Sequence, residues 1–281
     1  MRLFLRLFAS DARQGLRSYL PVLGLTAAIS SFECFCAYAI VVTGTSNGKV
    51  LGFADFVFAL FAGMEPFEYV QGQQFTFPMA WLALLCIMAC ATLFYPVHDL
   101  DGMGSRIIAV TCNRWAWWLS KCLWTILAGL GVCLVCLGVC AAATGIVGGP
   151  FSFESAADIS RMLNVYGVGS TSVNGSILGF VLALPCAIST SLLAQLTVSL
   201  LCNPAAGFLT TVSLFLASAY YTNPALLGNY LMAARLDIAL VDGMVPATGG
   251  LLSLAVTLAC IFVGGLVFQR RDIMGRRETF L

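Results

Sequence analysis

The side chains able to do chemistry in this chain are few, and their spacing excludes most reactions. There is one histidine, His98. A zinc-protease helix of the H-E-x-x-H type needs two histidines on one face to grip the metal, so that class is excluded. A serine protease working inside a membrane needs a G-x-S-G serine with a helix-borne histidine after it. No such motif occurs, and His98 precedes most candidate serines. His98 adjoins Asp99 and is close to Asp101, which marks it as a wet boundary residue. A phosphate-cradling G-x-x-x-x-G-K-[ST] loop needs a lysine in that frame, and the only lysines, Lys49 and Lys121, do not fit it. No catalytic, cofactor-binding or metal residue is therefore expected, and the chain is not expected to be an enzyme. If ATP drives it, another chain must bind the nucleotide.

The twelve cysteines are Cys34, Cys36, Cys86, Cys90, Cys112, Cys122, Cys133, Cys136, Cys140, Cys186, Cys202 and Cys260. All fall in apolar stretches or beside basic segments, which is no disulfide framework. Cys133, Cys136 and Cys140 share a helical face and include a C-x-x-C. A metal site there lacks histidine or carboxylate ligands nearby, so these cysteines are read as small polarizable packing residues. Glu33 is the lone acid deep inside an apolar stretch. Such a charge costs about 2.5–3.5 kcal/mol on insertion scales, so it must face protein or water, or be protonated. Two readings stay open for it: a residue of a pathway or subunit interface, or a neutral acid hydrogen-bonded to another helix. Gln195 and Pro185, in a later apolar stretch, hint at a polar, kinked inner face.

The elements that carry these residues follow from composition. The chain has 281 residues, of which 60% are hydrophobic and 10% charged. Soluble domains carry roughly 25% charged residues. A membrane-spanning helix needs about 20 mostly apolar residues. Six stretches qualify: Pro21 to Thr43, Thr76 to Val97, Leu119 to Val147, Ile177 to Leu201, Ala205 to Tyr221, and Thr248 to Phe268. Leu51 to Met64 is too short, holds Asp55, and is read as interfacial or re-entrant. The expected fold class is all-α: one polytopic membrane domain over residues 1–281, with six transmembrane helices.

Lys and Arg retained on the cytoplasmic side orient the spans. Arg2, Arg6, Arg13 and Arg17 precede the first span; Arg106, Arg114 and Lys121 lie around the loop after the second; Arg270, Arg271, Arg276 and Arg277 follow the last. The opposite side keeps Lys49, Arg161 and Arg235, among the acids Asp55, Glu65, Glu68, Glu154, Asp158, Asp237 and Asp242. Both termini are therefore expected in the cytoplasm of a plasma-membrane protein. Residues 1–20 lack the pattern of a cleavable signal. Their arginines recur at intervals of four, seven and four, one narrow helical stripe. This predicts an amphipathic helix in the membrane interface, with arginines toward lipid phosphates or water and Pro21 at the turn into the first span.

The segment at 98–118 is the most informative. Gly102 and Gly104 permit a turn, and Arg106 to Cys112 form a short helix along the membrane. Trp115, Trp117, Trp118 and Lys121 then set the next span at the interface, as aromatic belts do. Met103, Ile107 and Val110 share one face by their three- and four-residue spacing. That face, with Arg106 and Arg114 beside it, suits docking into a partner's groove.

In these features the chain resembles the membrane subunit of ABC transporters of the type-2 exporter-permease class. The likeness rests on the amphipathic start, on G-S-R…W-W-L-S-K at Gly104 to Arg106 and Trp117 to Lys121, on six spans with both ends inside, and on R-R-D at Arg270 to Asp272. Gly52-Phe-Ala-Asp55 through Phe61-Ala-Gly63-Met64, then Phe77-Pro78 and Trp81, resemble compact bacterial members. The resemblance covers nearly the whole chain. It implies a permease that pairs with a second permease, identical or not, over two ATP-binding cassette subunits holding ATP and magnesium. Residues from His98 to Arg114 would be the coupling helix, and 223–247 the short re-entrant helices outside. The cargo would be hydrophobic or amphipathic; nucleic acid is not expected as a partner. An ATP-independent carrier and a non-transporting scaffold or immunity protein are the alternative readings.

Overall fold

The computed structural model describes residues 2–44, 50–67, 75–93, 99–111, 113–154, 176–240 and 242–270. The described residues are helical apart from turns, two isolated bridges and extended links. The helices are α1 (Arg2–Gly44), α2 (Phe53–Phe61), α3 (Met79–Cys90), α4 (Ser105–Thr111), α5 (Arg114–Val147), α6 (Leu178–Leu201), α7 (Pro204–Tyr220) and α8 (Pro246–Arg270). A π-helical turn, Leu100–Gly104, leads into α4, and two 3-10 turns, Leu227–Leu231 and Ala233–Arg235, lie between α7 and α8.

Four of these helices, α1, α5, α6 and α8, are long and apolar enough to cross a membrane, which is consistent with a membrane location. The surface agrees. Leu25, Phe32, Phe35 and Val42 of α1 are exposed, as are Leu251, Leu254, Phe262 and Leu266 of α8. Apolar stripes of this extent are at rest against lipid rather than water. The shorter apolar helices α3 and α7 have 12 and 17 residues. At about 1.5 Å per residue they reach roughly 18 and 25 Å.

Side-chain contacts fix the directions of the helices. Along α1, Asp11 meets Ser120 and Lys121, Tyr19 donates to the Ala128 carbonyl, and Ser30 lies 3.4 Å from the Cys136 sulfur. Numbers rise together, so α1 and α5 are parallel. Helix α6 opposes α5: Ser189 donates to the Ile126 carbonyl, while Leu196 and Leu200 pack near Trp118 and Cys122. Helix α8 runs with α6, since Pro246 adjoins Gly179 and Thr190 bonds to Ser253 and Thr257. Only Cys202 and Asn203 separate α6 from α7, so these two form an antiparallel hairpin. Helix α3 runs with α6: Trp81 stacks edge-on with Phe215 late in α7, and Gln195 late in α6 donates to the Ala89 carbonyl at 2.7 Å. Thus α1, α5 and α7 point one way and α3, α6 and α8 the other.

Two expectations change. Pro21 does not turn the chain; α1 continues through it as one helix of 43 residues. Proline removes one backbone hydrogen bond. Leu7, Asp11, Gly15 and Tyr19, spaced by four, are buried before the proline, and Thr26, Ser30, Cys34 and Val41 are buried after it, so packing holds both sides. Gly15 is needed there, because a Cβ would lie 2.6 Å from the Trp124 ring. The stripe itself holds for the described side chains: Arg6, Arg13 and Arg17 are exposed opposite that buried face.

The second change concerns the tryptophans. Trp117 and Trp118 are not a surface belt but are enclosed, Trp118 with 0% exposure. Trp118 donates to the Ile261 carbonyl at 2.9 Å, and Trp117 stacks on Phe268 with ring centres 4.8 Å apart. Glycines of α8 admit the rings. A Cβ on Gly264 would stand 2.3 Å from Trp118, and one on Gly265 2.2 Å from Trp115. The W-A-W-W run therefore clamps α8 against α5.

The stretch Leu51 to Met64 contains α2, most of whose residues are buried. Asp55 accepts from the Gly52 amide at 2.8 Å, an N-terminal cap. Gly63 follows with φ +66°, packed on Met232 so closely that a side chain is excluded.

Candidate functional site: the segment at the basic end

Asp99, the π-turn and α4 lie at the end of the bundle shared by the start of α1, the start of α5 and the end of α8. Gly102 breaks the helical path with φ −108° and ψ −109°, so Met103 belongs to the π-turn and α4 begins at Ser105. Ser105 donates to the Gly102 carbonyl at 3.0 Å and stabilises that bend. Leu100 and Ile108 turn inward, onto Trp117, Trp118, Leu200 and Phe268. Outward stand Arg106, Ala109 and Val110, the last with 84% exposure. Arg106 and Val110 are thus both exposed on α4. The side chains of Met103 and Ile107, and residue His98, lie outside the described set.

Arg114 turns back onto the chain. Its Nη1 donates to the carbonyls of Phe268 at 3.3 Å and Gln269 at 2.7 Å. A guanidinium there satisfies orphan carbonyls and the negative end of the α8 dipole. Asn113 accepts from the Ala116 amide at 3.0 Å and caps the start of α5. The segment is therefore pinned at both ends while one face of α4 stays open.

Lys121, expected at the surface, has 0% exposure. Its ammonium contacts Asp11 Oδ1 at 2.5 Å and Asp99 Oδ2 at 2.7 Å. The sequence signal that pointed here was weak. A lysine directly after W-W-L-S reads as an interface anchor unless its acids, one far upstream, are known.

At the opposite end a second buried cation organises the links. Arg235 has 1% exposure. It donates to the carbonyls of Met64 at 2.9 Å and Ala219 at 2.6 Å, and also to the Ser218 carbonyl and Asn229 Oδ1. Burial pushes the guanidinium down to about 10, which leaves it charged at neutral pH. It caps α7, where the helix dipole is negative. Between α7 and α8 the two 3-10 turns, Leu227–Leu231 and Ala233–Arg235, lie around this side chain, and no α-helix occurs there among the described residues.

Glu33 is half-buried midway along α1, beside buried Cys34. Cys133, Cys136 and Cys140 are buried between helices, and no group of three metal-ligating side chains occurs among the described residues.

No family model, no curated protein and no solved structure matches this chain.

Proposed function

We propose that this chain is the membrane permease of an ATP-driven ABC exporter, energised by a separate ATP-binding subunit docked on α4. The observation that carries the reading is the segment 99–111: it exposes Arg106 and Val110 while its inner face is fastened to three long helices. An apolar side chain open at a basic, water-facing end invites a partner's groove, and Arg106 beside it would pair with an acid there and set register. The alternating helix directions support six crossings, with α3 and α7 as the two shorter ones. Arginine-bearing ends of α1, α5 and α8 at one end of the bundle support cytoplasmic termini. The buried turns around Arg235, with α2, would then form an external cover of re-entrant type. Two copies would pair around a pathway for a hydrophobic or amphipathic cargo, with Glu33 on the pathway or the interface.

The test is co-expression with candidate ATP-binding chains, recovery of the complex, and its ATP hydrolysis. Arg106→Glu with Val110→Asp should cut recovery at least tenfold while insertion is kept. Insertion without any ATP-binding chain recovered would favour an ATP-independent carrier or a scaffold.

A further inference from the structure

Three stretches of chain meet at one enclosed ammonium. Lys121 comes from α5, Asp11 from α1, and Asp99 from the start of the exposed segment. Ser120 donates to the other oxygen of Asp11. Trp117 donates its indole hydrogen to Asp99 Oδ2 at 2.9 Å, and its ring centre lies 5.3 Å from the ammonium. The chain closes over this cluster at Gly104. A Cβ there would stand 2.6 Å from Asp99 Oδ2 and 2.7 Å from the Trp117 indole nitrogen. An ammonium so enclosed is tolerated because carboxylates answer it, and loss of one partner leaves buried charge behind. Neither acid can shift far without dragging the cation or abandoning it.

We infer that Lys121 is a positioning residue that makes α1, the 99–111 segment and α5 move as one body. A push on α4 is then delivered to α1, the helix that bears Glu33, as well as to α5. By chain connectivity alone, the segment after Asp99 would reach only α5 and the helix before it. The ion cluster adds α1, whose contact with Lys121 spans 110 residues of sequence. The source of the push rests on the permease reading; the mechanical linkage does not.

Amide hydrogen exchange on the full chain in lipid nanodiscs tests the linkage, with two variants that enter it from opposite sides. Asp11→Asn alters only the α1–α5 contact. It should speed exchange at 105–111, on the order of tenfold, as well as at 7–15. Gly104→Ala enters from the segment, pressing on Asp99 and on the Trp117 indole without touching α1, and should speed exchange at 7–15 in return. Faster exchange confined to the mutated element in both variants overturns the inference. In the complex, adding MgATP should change exchange in both regions for the unaltered chain, and only at 105–111 in Asp11→Asn. If exchange spreads but no ATP-binding subunit is recovered, the linkage stands and the permease reading falls. If a subunit is recovered but exchange stays local, the reverse holds.

Discussion

Arg114 at the start of α5 holds the Gln269 carbonyl at the end of α8, 2.7 Å away and 155 residues later in the chain. The contact brings the start of α5 and the end of α8, with Arg270, to one end of the bundle. Under the proposed reading, that end is the cytoplasmic one.

Reporter fusions check that sidedness. Fusions ending at Thr111 and at Arg270 should report the cytoplasm, and a fusion ending at Glu154 the outside. An external signal at Arg270 would overturn the proposed six crossings, since α8 would then end on the wrong side.

Arg235→Ala should destabilise the protein strongly. The change removes the guanidinium from the carbonyls of Ser218 and Ala219 and from Asn229 Oδ1, all in buried residues. Hydrogen bonds to charged groups are worth about 1.5–3 kcal/mol each, so a loss of roughly 3 kcal/mol or more is expected. Thermal unfolding in detergent measures it. Arg235→Lys should recover only part, because an ammonium cannot span the same fork of acceptors. An unchanged melting temperature for Arg235→Ala would mean that water replaces the guanidinium.

Gly264→Ala tests the tryptophan clamp. The added methyl must displace the Trp118 ring, now 2.3 Å from that position. Overpacking of this kind costs about 1–3 kcal/mol. A lowered melting temperature is expected, with tryptophan emission shifted to the red as Trp118 meets lipid headgroups or water. Leu254→Ala, on the exposed side of the same helix, should change neither.

Glu33→Leu should leave the protein inserted and reduce transport by the reconstituted complex at least several-fold. The side chain is half-buried on a helix otherwise faced with exposed Phe32 and Phe35. Full transport by the variant would reduce Glu33 to packing. Loss of the folded protein would make it a structural hydrogen-bonding group.

Much of the architecture was legible in the residues. Runs of about 20 apolar residues specify long helices whatever their neighbours, because backbone hydrogen bonds must close internally in lipid. Two glycines at 102 and 104 announced the bend before α4, and the arginine spacing in residues 2–17 announced one exposed stripe. What the residues alone could not decide was which polar groups meet. Lys121 reads as a surface anchor because its acids are 110 and 22 residues upstream, and helix periodicity carries no information across such distances. Trp117 and Trp118 read as a belt because an aromatic at a helix start looks the same whether lipid or a glycine face lies opposite. Pro21 reads as a turn because local rules penalise it, and only the packing of α1 along α5 outweighs that penalty. The sequence determined where helices form and which ends carry positive charge, since both depend on local composition. Tertiary structure decided the burial of Lys121 and Arg235, since enclosing a charge requires partners from distant parts of the chain to converge on it.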